Sequence, residues 1–525
     1  MDDIESQKRD SRKDVPSATS SATFTDQPTL GEETIAPATA TPTRQLFPET
    51  DLDQGIVGWD GQDDPDNPQN FAAGRKWGLL GLVSAITFIS PLASSMFSPA
   101  VSYVGTDFGV SNEYLLSLSV TIFLLGYTIG PLLVAPLSEI YGRRIVLSCA
   151  NWFFVVWQIG CALAPNLPAL IVFRLLAGMG GVGSLTLGAG VIADLFPTEQ
   201  RGMATSIWSL GPLIGPVAGP IAGGFIGESI GWRWVFWILL IAGGVVSFGI
   251  EILNRKTYAP VLIRWNTEKL ANELSRTDLH SAYEKSSEQK PSVLDALKLG
   301  LSRPILLLCK SPIVLLLSLY MAFIYGILYL FFTTISSVFE EGYGWSTGIS
   351  GLAYLGIGIG FMVGLFVIAI TSDRIVGKLT ARNGGKFEPE MRLVTMMIFS
   401  CILPISFFWY GWTAKFEEFW IIPIIGMAPF GIGMMGVYMP IQTYVIDCYP
   451  AYAASANAAL TATRSLVGAT LPLAGPAMFK ALGLGWGNSL LGFIAVAFVP
   501  VPIIFNRYGQ RIRERFPVDL SGGKK

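Results

Sequence analysis

Long apolar runs alternate with short polar loops from Trp77 to about Arg507. A run of about 20 apolar residues crosses the hydrocarbon core of a bilayer as an α-helix, which satisfies its own backbone polar groups. Twelve such runs can be counted. The first six begin near Trp77, Glu113, Ile145, Leu167, Met203 and Trp232. The second six begin near Pro312, Ser346, Arg392, Phe419, Tyr452 and Trp486. A polar stretch from about Asn254 to Ser311 separates the sets and is too charged to span. Its end, "VLDALKLGLSRPILLL", has the amphipathic pattern of a helix lying on the inner membrane surface. The pattern predicts an all-α polytopic membrane protein of two six-helix bundles.

The loops carry the orientation. Lys and Arg concentrate on the cytosolic side of membrane proteins. With the N-terminus inside, that side holds Arg75, Lys76, Arg143, Arg144, Arg201, Arg374, Lys378, Arg382, Lys386 and Arg392, then Arg507, Arg511, Arg513 and Arg515. The other side has Lys415 and Lys480, with Arg233 at a span edge. The expected organisation is a disordered cytosolic tail (1–74, rich in Ser, Thr, Pro and acids), a first half (75–253), a cytosolic loop (254–311), a second half (312–507) and a cytosolic tail (508–525). No signal peptide is visible.

Composition narrows the classes. Of 525 residues, 51% are hydrophobic and 14% charged, with mean hydropathy +0.50; soluble proteins carry about 25% charged residues. A net charge of −2 argues against nucleic acid as a partner. The five cysteines (Cys149, Cys161, Cys309, Cys401, Cys448) show no C-x-x-C spacing, so neither a disulfide framework nor a zinc site is supported. His280, the sole histidine, falls in a polar loop, which weakens an enzyme built on histidine chemistry. No cofactor is implied, and a monomer is expected.

The halves repeat. "SEIYGRR" (Ser138 to Arg144) after the second span resembles "SDRIVGK" (Ser372 to Lys378) after the eighth. "VIADLFP" (Val191 to Pro197) after the fourth resembles "VIDCYP" (Val445 to Pro450) after the tenth. "PVAGP" (Pro216 to Pro220) in the fifth resembles "PLAGP" (Pro472 to Pro476) in the eleventh. Each match is six spans apart, as a duplicated six-helix unit requires. Such repeats are a transporter architecture, with the substrate site between halves that rock about it.

On these residues the chain resembles the major facilitator superfamily, and within it the fungal twelve-span drug:proton antiporters, from Asp63 to Arg515. "APLSEIYGRR" is similar to the family's G-x-L-x-D-R-x-G-R-R/K loop, with Ala135, Glu139 and Ile140 at the departures. The resemblance implies a latch of Glu139, Gly142, Arg143 and Arg144, repeated at Asp373 and Arg374, that pairs across the halves and closes the cytosolic side. The plainer alternative is positive-inside anchoring. Gly211, Gly215, Gly219, Pro220, Gly223 and Gly224 fit the family's fifth-span antiporter motif, which implies export; a generic packing face is the alternative. Three Gly-Pro pairs, ending in Pro212, Pro216 and Pro220, suggest a kinked seam that lets a neighbouring helix approach closely. "GWRWVFWI", "TYAPVL" (Thr257 to Leu262) and "RSLVGATLPLAGP" are typical of the same fungal group.

Charges inside spans are costly and functional by default. Arg174 matches the family's fourth-span arginine, and Arg464 lies deeper, in the eleventh span; both are coupling or gating candidates. Arg174 could instead be tied to backbone carbonyls. No acid lies at mid-span, so proton coupling rests on the resemblance. Asp194 and Asp447 are the candidates because they occupy matching places, with helix-end hydrogen bonding as the alternative. Tyr320, Phe323, Tyr325, Tyr329, Met434, Met435 and Tyr438 are cavity candidates whose aromatic and polarizable surfaces suit an amphipathic substrate; they could equally be packing residues. The resemblance thus implies a plasma-membrane antiporter exporting drugs, toxins or secondary metabolites in exchange for protons. Proton-coupled nutrient uptake on the same fold is the alternative, ahead of a membrane enzyme or a sensor.

Overall fold

The computed structural model describes residues 47–253, 257–283, 293–449 and 452–518. Spans 1 to 6 are Ala73–Ser95, Glu113–Tyr141, Arg143–Ala162, Leu167–Leu195, Thr198–Ser229 and Arg233–Leu253. Span 7 is Pro312–Tyr343. Span 8 enters through the short turns Thr347–Ser350 and Gly351–Tyr354 before Leu355–Arg382, and spans 9 and 10 are Leu393–Lys415 and Ile421–Cys448. The helical stretch from Ala453 to Arg515 is 63 residues long. As one helix it would measure about 95 Å, some three times the hydrocarbon core. It breaks at Gly483, where φ is 71° and ψ 170°, a conformation open to glycine. Span 11 therefore precedes Gly483 and span 12 follows it, giving twelve passes. The sequence-derived starts fall within one or two helical turns of these.

The packing repeats as the motifs do. Span 1 lies on span 5, 2 on 4, and 3 on 4 and 6; correspondingly 7 lies on 11, 8 on 10, and 9 on 10 and 12. Across the halves, span 2 meets span 11 and span 5 meets the start of span 8.

The side from which span 1 sets out is the near side, and the opposite one the far side. Ser94 Oγ and Tyr329 OH share a 2.7 Å hydrogen bond, and Ser98 Oγ donates to the Phe332 carbonyl. Thr121 donates to the Ala469 carbonyl at 2.9 Å and Tyr103 to Thr347 at 3.2 Å. The Glu228 carboxylate accepts from Gly348 N–H at 2.6 Å and from Ser346 at 3.0 Å. Among the described residues, these bonds between the halves all lie from mid-membrane to the far side. At the near side, helix Val293–Lys310 packs against spans 2, 7 and 11, with Gly300 against Pro136.

Part of the expected tail is folded. Residues 1–46 lie outside the described residues, but Ile56–Val57 pair in parallel with His280–Ser281 of the central loop. Trp59, Val57 and Ile263 form a buried cluster bordered by Phe47, Leu262 and Leu270. Trp59 Nε1 donates to Tyr283 OH at 3.1 Å. These few apolar residues were diluted in a polar composition, and their partners lie more than 200 positions away. The last helix, Pro500–Arg515, likewise continues beyond residue 507. Arg513 holds Glu390 there at 2.9 Å.

Candidate transport path and its helix seams

Span 5 is apposed to span 1 through its glycines. A Cβ at Gly211 would lie 2.9 Å from Phe88 N, and one at Gly215 2.8 Å from Phe88 O. At Gly219 it would meet Ser95 Oγ, Leu92 O and Met96 N, and at Gly223 it would collide with the Met96 carbonyl. Glycines every fourth residue thus meet span 1 at the same period (Phe88, Leu92, Met96), so the backbones touch directly. Gly224 points elsewhere: its Cβ would lie 2.7 Å from the carbonyl of Thr347, in the other half. Gly351 correspondingly abuts the Pro220 carbonyl. The motif therefore builds one seam inside the first half and touches the second half at its far end.

The prolines do not interrupt span 5, which remains one helix from Thr198 to Ser229. Pro220 has no N–H to offer the carbonyl four residues back, that of Pro216. Ser95 Oγ donates to that carbonyl at 2.9 Å, so span 1 supplies what Pro220 lacks. The interruption falls in the repeat instead. In span 11 the segment Leu471–Ala474 tightens to a 3-10 turn, just beyond the Ala469 carbonyl that Thr121 captures. Gly475 meets the Leu330 side chain of span 7, where the span 5 glycines meet the span 1 backbone.

The acidic candidates close within their own halves. Arg143, opening span 3, donates to Asp194 at the end of span 4 at 2.6 Å. Arg392, opening span 9, donates to Asp447 at the end of span 10 at 2.8 Å and also reaches Asp373 at 3.2 Å. Arg144 is 4.0 Å from Glu251 of span 6, while Glu139 and Arg374 are exposed. The expected pairing across the halves is not formed in this arrangement, in which the interhalf bonds sit on the far side. The two copies also differ in shape. Gly142 has φ 85° and ψ 154°, turning the chain sharply between spans 2 and 3. Gly377 lies inside the continuous helix Leu355–Arg382.

The "TYAPVL" run docks on this turn. The Arg143 guanidinium lies 4.8 Å from the Tyr258 ring centroid, Val261 covers Gly142, and Arg264 of helix Ala259–Leu274 donates to the Ile140 carbonyl at 2.9 Å. Burial pushes the Tyr258 hydroxyl above its ordinary pKa.

The two arginines inside spans have different settings. Arg174 is 1% exposed. Its guanidinium donates to the carbonyls of Val120 at 3.1 Å and Ser94 at 3.3 Å, and lies 4.8, 5.4 and 5.8 Å from the rings of Phe97, Phe123 and Phe236. That is the carbonyl-tied alternative: Arg174 links spans 1, 2 and 4 from within a closed aromatic cage. Arg464 is only half-buried. It donates to Tyr438 OH and lies 5.0 Å from the Tyr438 ring and 5.2 Å from that of Tyr325.

Around Arg464 the halves meet through polar-tipped aromatics. The Tyr325 and Tyr329 rings are 5.3 Å apart, Tyr329 binds Ser94, and Tyr127 shares a 2.5 Å hydrogen bond with Ser90. Gly468, one turn beyond Arg464, lets Leu124 of span 2 approach Tyr325. Met434 shares the face of Tyr438 at four-residue spacing. The remaining cavity candidates pack elsewhere. Tyr320 and Phe323 stack on Phe498 at 4.8 and 5.3 Å, and Met435 backs against Gly364 of span 8.

Sequence reasoning passed over Ser90, Ser94 and Ser98. Their four-residue period on and just beyond span 1, in an otherwise apolar run, was the available signal. Arg143 was expected in the latch and Arg392 counted among the cytosolic cations, and nothing local marked them as partners of Asp194 and Asp447.

A family model described as Major Facilitator Superfamily matches residues 83–472. The chain is 50% identical over 461 residues to "MFS-type transporter penM" of Penicillium rubens, covering 88% of this chain and 90% of that protein. It is 41% identical over 493 residues to "Efflux pump radE" of Floropilus chiversii, covering 93% and 90% respectively. Among solved structures, a partially occluded inward-open form of the xylose transporter XylE from E. coli matches with a TM-score of 0.62 at 16% identity. That match covers 86% of this chain and 100% of the other.

Proposed function

The chain belongs to the major facilitator superfamily, a family of membrane transporters and not of enzymes, and on that footing we propose that it is a proton-coupled exporter of small amphipathic compounds, secondary metabolites among them. The direction is supported by the match of the fifth-span glycines to the antiporter motif; these glycines lie backbone to backbone on span 1 and reach span 8 of the other half. A relative that bears the name of an efflux pump supports the same direction.

The near side is the cytosol, since it gathers the Lys and Arg of the short loops. Both termini are cytosolic, and the membrane is the plasma membrane. The arrangement, bonded on the far side, is the one that admits substrate from the cytosol. Rocking the halves about the Arg464 region exposes the site outward. The carboxylates of Asp194 and Asp447, each held by the arginine opening the preceding span, are the proposed proton-exchanging groups. The protein acts as a monomer.

Purified protein in liposomes with an imposed pH gradient tests this reading, using fluorescent amphipathic compounds as probes. Exchange predicts that a probe accumulates in the compartment from which protons leave. Accumulation in the direction of proton flow would make the protein a symporter and end the export reading.

A further inference from the structure

A guanidinium near the middle of a bilayer is retained only with compensation. Arg174 has two carbonyls and three aromatic faces, and it is sealed from its surroundings. Arg464 lies about 16 Å along span 11 from its near end. Of the five N–H groups that an arginine carries, one donates to Tyr438 OH, and the buried Nε, like that of Arg174, has no partner. Among the described residues, no carboxylate lies within ion-pair distance of it. Its side chain is nevertheless only half-buried, on the seam where spans 7 and 11 face span 2.

We infer that Arg464 is an anion-recognition point of the transport site and that the transported class is amphipathic organic acids, each a carboxylate on an aromatic or apolar body. The inference rests on the transport reading above, though not on its direction. A carboxylate matches the planar fork of a guanidinium with two parallel hydrogen bonds. It would give Arg464 the counter-ion that, among the described residues, it lacks. The surroundings suit the apolar body: half-buried Tyr325 and Tyr438 flank the guanidinium, and buried Tyr127 and Tyr329, their hydroxyls taken up by Ser90 and Ser94, back them. Towards the near side the same faces of spans 10 and 11 carry Gln442 and Asn457, hydrogen-bonded at 3.3 Å. This neutral polar pair places no opposing charge on the way in from that side.

The test uses the full-length protein in detergent and a graded series of aryl-alkanoic acids, each paired with its primary amide. Acid and amide match in shape and differ in charge. Binding is read from tryptophan fluorescence. Wild-type protein is expected to prefer at least one acid over its amide by about tenfold or more, the worth of a charge-assisted pair. Arg464→Gln is expected to bring acid and amide to equal affinity, while Arg464→Lys keeps part of the preference. Equal binding of every pair by the wild type overturns the inference, whatever the variants do, as does a preference that survives in Arg464→Gln. If neutral probes are still exported while acids show no preference, the anion inference falls and the export reading stands.

Discussion

The Ser95 hydroxyl on span 1 donates to the Pro216 carbonyl on span 5 at 2.9 Å. Pro220 has no N–H to bond that carbonyl within the helix, so the two spans share one hydrogen-bond ladder. Ser95→Ala is expected to destabilise the protein by about 1 kcal/mol. Pro220→Ala restores the intrahelical donor and leaves Ser95 with a weaker option, the Leu92 carbonyl at 3.4 Å. The double variant should then lose less stability than the sum of the singles. Thermal unfolding in detergent measures that coupling, and strict additivity would refute the shared ladder. Pro220→Ala is further expected to insert normally and to export poorly.

Gly219→Leu places a branched side chain where Ser95 Oγ, Leu92 O and Met96 N leave no room. Export should fail and the melting temperature drop. Gly202→Leu, at a position of the same helix with open space around it, should leave both unchanged. The comparison separates loss of the seam from any general intolerance of leucine in span 5.

Asp194→Asn and Asp447→Asn are not equivalent despite their matching places. Losing Asp447 leaves Arg392 with Asp373 at 3.2 Å, whereas among the described residues Arg143 forms an ion pair with Asp194 alone. Asp194→Asn should therefore cost more stability, by about 1 kcal/mol after allowance for partial exposure. Chemical denaturation of the two variants side by side decides it; equal losses would show that Asp373 does not compensate.

Tyr103 and Thr347 meet across the halves on the far side. In a background with the five cysteines replaced by serine, Tyr103→Cys/Thr347→Cys should be bridged by a short dithiol-reactive linker. The bridge holds the far side shut, so transport should stop and should return when a cleavable linker is cut. Undiminished transport in the fully bridged protein would mean that the halves do not part there.

Much of this structure could be read from hydropathy and self-similarity. The passes, their order and the pairing of spans 2 with 8, 4 with 10 and 5 with 11 follow from periodicity, which is local information. The sequence also singled out Arg174, Arg464 and the glycine strip, because each violates what an apolar helix ordinarily contains. What it withheld were partners. Arg143 and Asp194 are 51 residues apart and Arg392 and Asp447 are 55 apart, so identical motifs were compatible with pairing within or across the halves. The partner of the carbonyl that Pro220 frees was hidden for the same reason: Pro220 announces that carbonyl, but only the fold shows that Ser95 takes it up. The cavity list divided along a helical face, with Tyr325 and Tyr438 at Arg464 and Tyr320 and Phe323 turned to Phe498.

The short parallel pairing of Ile56–Val57 with His280–Ser281 fastens the chain to itself before and after the first six spans, like a buckle. Every residue needed to close it has been synthesised before span 7 begins. The first bundle can thus be completed, strapped and made resistant to slippage while the second is still on the ribosome.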